Sequence, residues 1–341
     1  MIGIASYGFY IPRNRIKTAD IAAVWGKEPA DIEGSLRISE KAVGSIDEDS
    51  LTMGFESAQM CLSDISINRH DIGSVLFGSE TPPYSVNPTS TILAEFLGIQ
   101  KNYLSYDMQF ACKAGTGGII STFGLIKSGE INWGLVTASD KANAKTHDAL
   151  EYTAGSGSVS VLLGKENVLL NIIDWSTFSS DTPDFWRREG IRHPSHGGRF
   201  TGKPSYFHHV RESSRTLLQK TDLKPEDFAY AVFHMPNGKF PIEVGLSLGF
   251  TKEQIAPSLV ISELGNSYTA SALMGLVSVL DTVKPGEKIF FASYGSGAGS
   301  DAFVFEATEE LEKRRRHFKE TITPKKYIDY TTYLKFMGTI A

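Results

Sequence analysis

Apolar, β-prone runs alternate with segments of helical period along this chain, and they do so twice in one register. Residues 2–9, 74–79, 103–108, 134–139 and 158–163 read as strands, and 51–64 and 90–97 as helices. The second half predicts strands at 230–234, 259–262, 288–294 and 302–306, with helices at 242–248 and 271–283. Glu80 and His234 each follow an apolar strand, while Cys112 and Asn266 each follow a strand and open a helix. Both pairs are 154 residues apart (234 − 80 and 266 − 112). Thr137-Ala138-Ser139 and Phe291-Ala292-Ser293 keep that offset, and Gly155-Ser156-Gly157 before one strand is matched by Gly295-Ser296-Gly297 before another. Such a chain is expected to fold as layered α/β, with two duplicated halves, 1–166 and 167–341, about a pseudo-twofold axis. Equivalent strand ends would then converge, so that Glu80, Cys112, His234 and Asn266 meet in one pocket.

Composition narrows the function classes. The 341 residues, 41% hydrophobic and 21% charged, suit one large or two medium soluble domains. A net charge of −5 gives no general nucleic-acid affinity. Two cysteines, Cys61 and Cys112, exclude a disulfide framework and a cysteine-rich zinc site, and point to a reducing cytosol. Met1-Ile2-Gly3-Ile4-Ala5 starts directly as a strand, so no signal peptide is expected, and no apolar stretch is long enough to span a bilayer.

Cys112 stands at a strand-to-helix turn, in Phe110-Ala111-Cys112-Lys113-Ala114-Gly115-Thr116. A helix N-terminus carries partial positive charge and free N–H groups, which favour a thiolate. The residue fits a nucleophile and equally a buried structural thiol. Glu80 fits a general base or a solvated loop carboxylate, and His234 an active-site or a satisfied core histidine. Asn266 fits an oxyanion donor and a helix cap, two compatible roles. Cys61 falls in an apolar helix and is expected in the core. His208 and His209 adjoin without a second ligand cluster, so surface or interface roles are expected and no metal site is.

An ordered set of segments now becomes specific. It comprises Gly78-Ser79-Glu80-Thr81, the Cys112 segment, Asp148-Ala149-Leu150-Glu151-Tyr152-Thr153-Ala154 and Asp181-Thr182-Pro183-Asp184-Phe185-Trp186-Arg187-Arg188. It continues with His196-Gly197-Gly198-Arg199-Phe200-Thr201-Gly202, His234-Met235-Pro236-Asn237-Gly238-Lys239-Phe240-Pro241, Gly265-Asn266-Ser267-Tyr268 and Tyr294-Gly295-Ser296-Gly297-Ala298-Gly299-Ser300, and ends at Tyr327-Ile328-Asp329-Tyr330. Over essentially its whole length the chain resembles the thiolase superfamily, and within it the archaeal-type 3-hydroxy-3-methylglutaryl-CoA synthases.

That resemblance implies a thiolase-like αβαβα fold and a place in the mevalonate route to isoprenoids. It implies condensation of acetyl-CoA with acetoacetyl-CoA through an acetyl-cysteine, with no permanently bound cofactor. Cys112 would carry the acetyl group, Glu80 would take a methyl proton, and His234 would orient and hydrogen-bond the ketone oxygen. Asn266 and backbone N–H groups would hold developing oxyanions, and Ser296 would wall the pocket. Thr153, Arg199, Thr201 and Lys239 are the positions it selects for substrate and CoA, with Arg187, Arg188 and Arg192 as further cations. One departure stands out: Glu243 and Leu246-Ser247 occupy places where this family is expected to carry basic residues. Thioester exchange needs no carbanion, so Glu80→Gln is expected to be acetylated and then to stall before carbon–carbon bond formation.

Two other readings stay open on sequence grounds. Ketoacyl synthase III-like condensing enzymes use Cys, His and Asn without a glutamate base, which Glu80 argues against. A non-catalytic subunit of a thiolase complex has no need of the four-residue set. A degradative thiolase would want a second cysteine after Cys112, and none follows. The resemblance also implies a cytoplasmic homodimer, associated with an acetoacetyl-CoA thiolase through a small zinc-containing OB-fold protein. Lys313-Arg314-Arg315-Arg316 and the tail aromatics Tyr327, Tyr330, Tyr333 and Phe336 would contribute to that interface or form a docked tail.

Overall fold

Nine strands form the main sheet of the computed structural model, which describes residues 1–341. They are β1 Gly3–Tyr10, β2 Ile72–Gly78, β3 Leu104–Met108, β4 Trp133–Lys141, β5 Ser156–Gly164, β6 Leu170–Thr182, β7 Tyr230–Phe233, β8 Lys288–Ala292 and β9 Gly297–Ala307. The order is β7-β8-β9-β6-β1-β5-β4-β2-β3. β2 runs parallel to β3 and β4, and β7 parallel to β8; the other pairings are antiparallel. Read outward from the centre, β1-β5-β4-β2 is mirrored by β6-β9-β8-β7. The two wings join through only Gly3↔Asn171 and Ile4↔Leu170. A Cβ on Gly3 would lie 2.0 Å from the Leu170 carbonyl oxygen, so the seam requires glycine there.

Six helices complete the layers: α1 Ser50–Ser63, α2 Thr89–Phe96, α3 Ala114–Ser128, α4 His208–Thr221, α5 Phe240–Ser247 and α6 Ser271–Val279. Every residue of α6 is buried, the signature of a helix with no solvent face. α6 and α3 supply Leu273, Leu276, Ile119 and Ile126 to one large core that draws Val136 and Val161 from one wing and Phe303 and Phe305 from the other. The outer faces pack separately. Leu51, Ala58 and Leu93 from α1 and α2 cover Val75 and Phe77, whereas Val210, Leu217 and Val244 from α4 and α5 cover Phe233 and Phe290. Strand alternation makes this division: Leu76 faces the inner core while its neighbours Val75 and Phe77 face outward. Strands buried on both faces read as continuous apolar runs, which is why these were legible. The result is the expected αβαβα sandwich.

Two sequence readings are corrected. Residues 259–262 do not form a strand; a 3-10 turn at Ala256–Ser258 leads into a short helix, Ile261–Leu264. The apolar run is satisfied locally, with Ile261 buried against Ile38 and Met235, and the Ser262 carbonyl accepts from the Ser39 amide at 2.9 Å. The wing ending in β7 therefore lacks a counterpart of β3. β6, the longest strand at 13 residues, was not anticipated. Its Asp174, Ser176, Thr177 and Ser179 dilute the apolar signal, because much of it is only half-buried.

The C-terminal segment is docked on the chain itself. Tyr333 is buried, and its hydroxyl accepts from Lys41 Nζ at 3.1 Å. The Tyr330 hydroxyl donates to Glu151 at 2.7 Å. Arg314 and Arg316 are tied down by the carbonyls of Ala5 at 2.9 Å and Met60 at 2.8 Å, rather than forming a free basic patch. No helix is long and apolar enough to cross a membrane.

Candidate functional site

The strand ends converge as the repeat requires. Ser79 and Glu80 follow the last residue of β2, Cys112 lies between β3 and α3, and His234 directly follows β7. Ligands in open α/β sheets bind at such carboxyl ends. Cys112 precedes the first turn of α3, with Ala111 in the left-handed region at φ 44°. The turn closes through Lys113 N–H to Phe110 O at 3.2 Å and Ala114 N–H to Ala111 O at 3.1 Å. The loop Tyr294–Ser300 from the opposite wing rests directly on it. A Cβ on Gly295 would sit 2.3 Å from Phe110 O, and one on Gly299 2.7 Å from the Phe110 ring. Gly295 thus allows two backbones to touch beside the cysteine, Gly299 makes room for the Phe110 ring, and Gly297 supplies a positive φ of 114°. Gly295→Ala is expected to fold but to lose about tenfold or more in turnover, because displacing a nucleophile by an ångström is costly. Steady-state assays beside a thermal melt would separate that loss from unfolding.

Cys112 Sγ–H donates to Glu80 Oε1 at 2.9 Å. Burial, then the Glu80 carboxylate, push the thiol well above its usual pKa, and Asp140 and Asp184 add to the effect. This corrects the thiolate expected from the helix N-terminus: desolvation and neighbouring negative charge outweigh a partial positive charge. Glu80 is likewise raised to about 8, by burial first and Asp140 second, with Cys112 and Arg187 opposing. The resting pair is thus a thiol and a carboxyl of high proton affinity in hydrogen-bond contact.

Asp140, at the end of β4, escaped the sequence reading. Its Oδ1 accepts from Ser79 Oγ at 2.9 Å, Glu80 N–H at 2.7 Å, Thr81 N–H at 2.9 Å and Thr81 Oγ1 at 2.7 Å. Its Oδ2 accepts from Thr269 N–H at 3.0 Å and Thr269 Oγ1 at 2.6 Å. One buried carboxylate therefore fixes the Glu80 loop against the turn that follows Asn266. The signal was available, because the 154-residue register sets Asp140 opposite Tyr294 (294 − 140). Tyr294 in turn donates to Asp184 Oδ2 at 2.7 Å, and Asp184 Oδ1 accepts from Gly297 N–H at 2.8 Å, which pins the Ser296 loop. Asp140→Asn turns an NH₂ toward donors on one side or the other. It is expected to cost about 2–4 kcal/mol of stability, read from denaturant melts.

His234 is buried and its pKa falls to about 3 through desolvation alone, so the imidazole is neutral. Its amide donates to Ala292 O at 2.9 Å, its carbonyl accepts from the Tyr206 hydroxyl at 2.7 Å, and its Nδ1 has no partner in the chain. Asn266 N–H donates to Thr153 O at 2.6 Å, and its Oδ1 accepts from Tyr268 N–H at 3.0 Å. That leaves the side-chain NH₂ as the group free to donate.

Cys112, His234, Asn266, Ser296, Thr153 and Thr201 share the wall of one cavity of about 260 Å³, with Leu36, Leu150 and Phe240 as apolar lining. Glu80 lines an adjoining cavity of about 320 Å³, which shares Phe185, Tyr268 and Ser296 with the first. Arg199 and Lys239 are not lining residues: Arg199 is exposed beside the lining residue Gly198, and Lys239 half-buried after Asn237 and Gly238. Glu243 is exposed on α5, outside the lining. Arg187 lies on the Glu80 side, not with Arg199. His209, expected at a surface, is buried, with Nδ1 against Ser205 O at 2.7 Å and Nε2 against Ser180 Oγ at 2.8 Å.

Residues 218–307 match the family model of the 3-oxoacyl-[acyl-carrier-protein (ACP)] synthase III C terminal. The chain is 48% identical to the hydroxymethylglutaryl-CoA synthase of Methanosarcina barkeri over 99% of both chains, and 46% identical to that of Archaeoglobus fulgidus over 98% of both. Its fold is similar to that of an HMG-CoA synthase crystallised with CoA, at a TM-score of 0.91 and 24% identity, covering 98% of this chain and 90% of that one. A curacin-pathway HMG synthase bound to holo donor-ACP matches at a TM-score of 0.90 and 20% identity, covering 98% of this chain and 88% of that one. Full-length identity at this level, together with a cysteine–glutamate pair facing a histidine and an asparagine across convergent strand ends, places the chain in the hydroxymethylglutaryl-CoA synthase family.

Proposed function

We propose that the chain condenses acetyl-CoA with acetoacetyl-CoA to 3-hydroxy-3-methylglutaryl-CoA, using the residues gathered around Cys112. The observation that carries this reading is the 2.9 Å contact between Cys112 Sγ and Glu80 Oε1 at the wall shared with His234 and Asn266. Glu80 takes the thiol proton as Cys112 attacks the acetyl thioester, and CoA leaves with a proton. Once the sulfur is acylated it no longer donates, so the carboxylate is free to take a proton from the acetyl methyl group. The resulting carbanion adds to the ketone carbon of acetoacetyl-CoA, and the alkoxide so formed takes up the proton that Glu80 removed, which returns Glu80 to the carboxylate. His234, neutral, acts as an N–H donor to the ketone oxygen rather than as an imidazolium, and the Asn266 NH₂ holds oxyanion charge. Water then cleaves the thioester at Cys112.

Thr153 and Thr201 bind along the apolar cavity, with Arg199 and Lys239 at its rim as the cations for CoA phosphates. The two halves, 1–166 and 167–341, are supported by the mirrored strand order. A cytoplasmic homodimer is part of this reading. The open edge of β3, with Leu104 and Tyr106 exposed, suits sheet-to-sheet pairing. Association with an acetoacetyl-CoA thiolase and a zinc-containing OB-fold protein completes it. Supplied with both CoA esters, the protein is expected to release hydroxymethylglutaryl-CoA, identified by mass spectrometry. Turnover of a malonylated carrier with loss of carbon dioxide would favour the ketoacyl synthase reading instead.

A further inference from the structure

The cavity on the Glu80 side, the rear one, differs in chemistry from the front one, which Cys112 lines. The front wall is carried by Leu36, Leu150, Phe240 and Tyr206, whereas Ser79, Glu80, Gln109, Asn143 and Arg187 line the rear. The two spaces share Phe185, Tyr268 and Ser296. The rear one continues past Asn143 and Arg187, which line both, into a surface cleft of about 860 Å³. Arg187 is held at the threshold, its Nη2 donating to the Glu80 carbonyl at 2.8 Å. That single bond leaves the rest of its five-donor fork without a carboxylate partner in the chain. Asn143 adds a second observation. Its Oδ1 is buried with no hydrogen-bond partner in the chain, so the side-chain amide is uncommitted and its NH₂ is the end a carboxylate would engage. An Arg fork and an unpartnered amide facing one polar space form a receptor for a carboxylate.

We propose that the rear cavity receives the carboxylate end of the product, with Arg187 and Asn143 as its binding residues. This rests on the condensing activity inferred above. During hydrolysis a water oxygen adds to the thioester carbon on Cys112 and the carbon–sulfur bond breaks. One water proton restores the thiol, and the other is lost from the new carboxylic acid to Glu80. The products are the free thiol and a carboxylate, and no other reactant is needed. Pantetheine fills the apolar front cavity at this stage, so the polar rear is the side from which water reaches the thioester. The new anion forms beside Glu80. A protonated Glu80 donates to it instead of repelling it, and Arg187 supplies the opposite charge. Acetyl-CoA and acetoacetyl-CoA carry no such carboxylate, so the subsite discriminates product from substrates.

The test compares two ligands in the Cys112→Ala background, where no covalent exchange occurs. They are 3-hydroxy-3-methylglutaryl-CoA and 3-hydroxy-3-methylbutyryl-CoA, which lacks the distal carboxylate. Titration calorimetry should give a ratio of dissociation constants, that of the carboxylate-free ligand over that of 3-hydroxy-3-methylglutaryl-CoA, which falls about 10- to 100-fold on adding Arg187→Gln, the worth of a charge-assisted hydrogen bond. Arg187→Lys should retain part of the ratio, and Asn143→Ala should lower it independently. With Cys112 intact, Arg187→Gln should accumulate the condensed thioester adduct on Cys112 during turnover. A ratio unchanged by Arg187→Gln would overturn the proposal, even if the pH profile moved through Glu80. Equal weakening of both ligands would also overturn it, by making Arg187 a general CoA or structural contact. If neither ligand bound and no hydroxymethylglutaryl-CoA were formed by the intact enzyme, the failure would lie with the condensing activity itself.

Discussion

Cys112→Ala is expected to abolish the covalent acetyl adduct and to lower turnover by about 10⁴-fold or more, the scale on which a nucleophile is lost. The fold should survive, since Cys112 contributes only a small apolar surface to a five-residue cluster with Ala142, Ala144, Ala154 and Tyr268. Incubation with acetyl-CoA followed by peptide mapping checks both halves of the statement. The other thiol provides the internal control. Cys61 lies fully buried in α1, its carbonyl accepts from Ser6 Oγ at 2.6 Å, and burial drives its thiol pKa to about 12. Cys61 should stay unmodified in wild type and mutant alike. An acetyl group found on Cys61, or near-normal turnover in the mutant, would remove Cys112 from the mechanism.

Glu80→Gln is expected to slow both acetylation and condensation, each by about 10²- to 10⁴-fold. On sequence grounds only the second step should need Glu80, because thioester exchange requires no carbanion. The 2.9 Å bond from Sγ changes this: a thiol pushed well above its usual pKa reaches the thiolate only by passing its proton to the carboxylate beside it. Single-turnover acetylation, measured apart from product formation, separates the two steps. An acetylation rate equal to wild type would leave Glu80 with carbanion formation alone.

The pH dependence follows in sign. Glu80 must be ionised to act as a base, and its pKa stands at about 8, so kcat/KM for acetyl transfer should rise with pH and level off above that value. Glu80→Gln should erase this limb. Stability runs the opposite way. A carboxyl whose folded pKa is raised from 4.5 to about 8 stabilises the fold fully below 4.5, and that contribution is lost as pH climbs through 8. The glutamine variant should therefore match wild type near pH 4.5 and melt several degrees higher at pH 8 to 9. Equal melting temperatures across that range would mean that Glu80 is solvated and that its base strength is ordinary.

Sequence alone determined the architecture and the four residues at its centre. Strands such as 72–78 and 288–292 are buried on both faces, so their apolar runs are continuous and bounded, and they stand out without any three-dimensional context. The duplicated register did the rest, because pseudo-symmetric wings carry equivalent strand ends to one place, which is where Glu80, Cys112, His234 and Asn266 lie. Pattern failed where local packing supplied an alternative. Ile261 found partners in Ile38 and Met235 and curled into a helix, while β6 hid behind its polar residues.

Only the tertiary structure decided the chemistry of the site. A protonation state depends on what surrounds a group in space, and the chain order of Cys112 does not reveal that Glu80, Asp140 and Asp184 all raise its pKa. In sequence Asp140 looks like an ordinary strand-end acid and Asp184 like one more polar residue of an irregular segment. They became hubs because distant backbone N–H groups turn toward them. The arginines show the same limit. Arg187 and Arg199 sit in similar polar loops 12 residues apart (199 − 187) and both are exposed, yet folding sets Arg187 on the Glu80 side, lining the polar cavity there, and leaves Arg199 outside the lining of either cavity. Periodicity records which faces are buried; the position of a charge relative to a nucleophile is set by loop paths, and these carry no period to read.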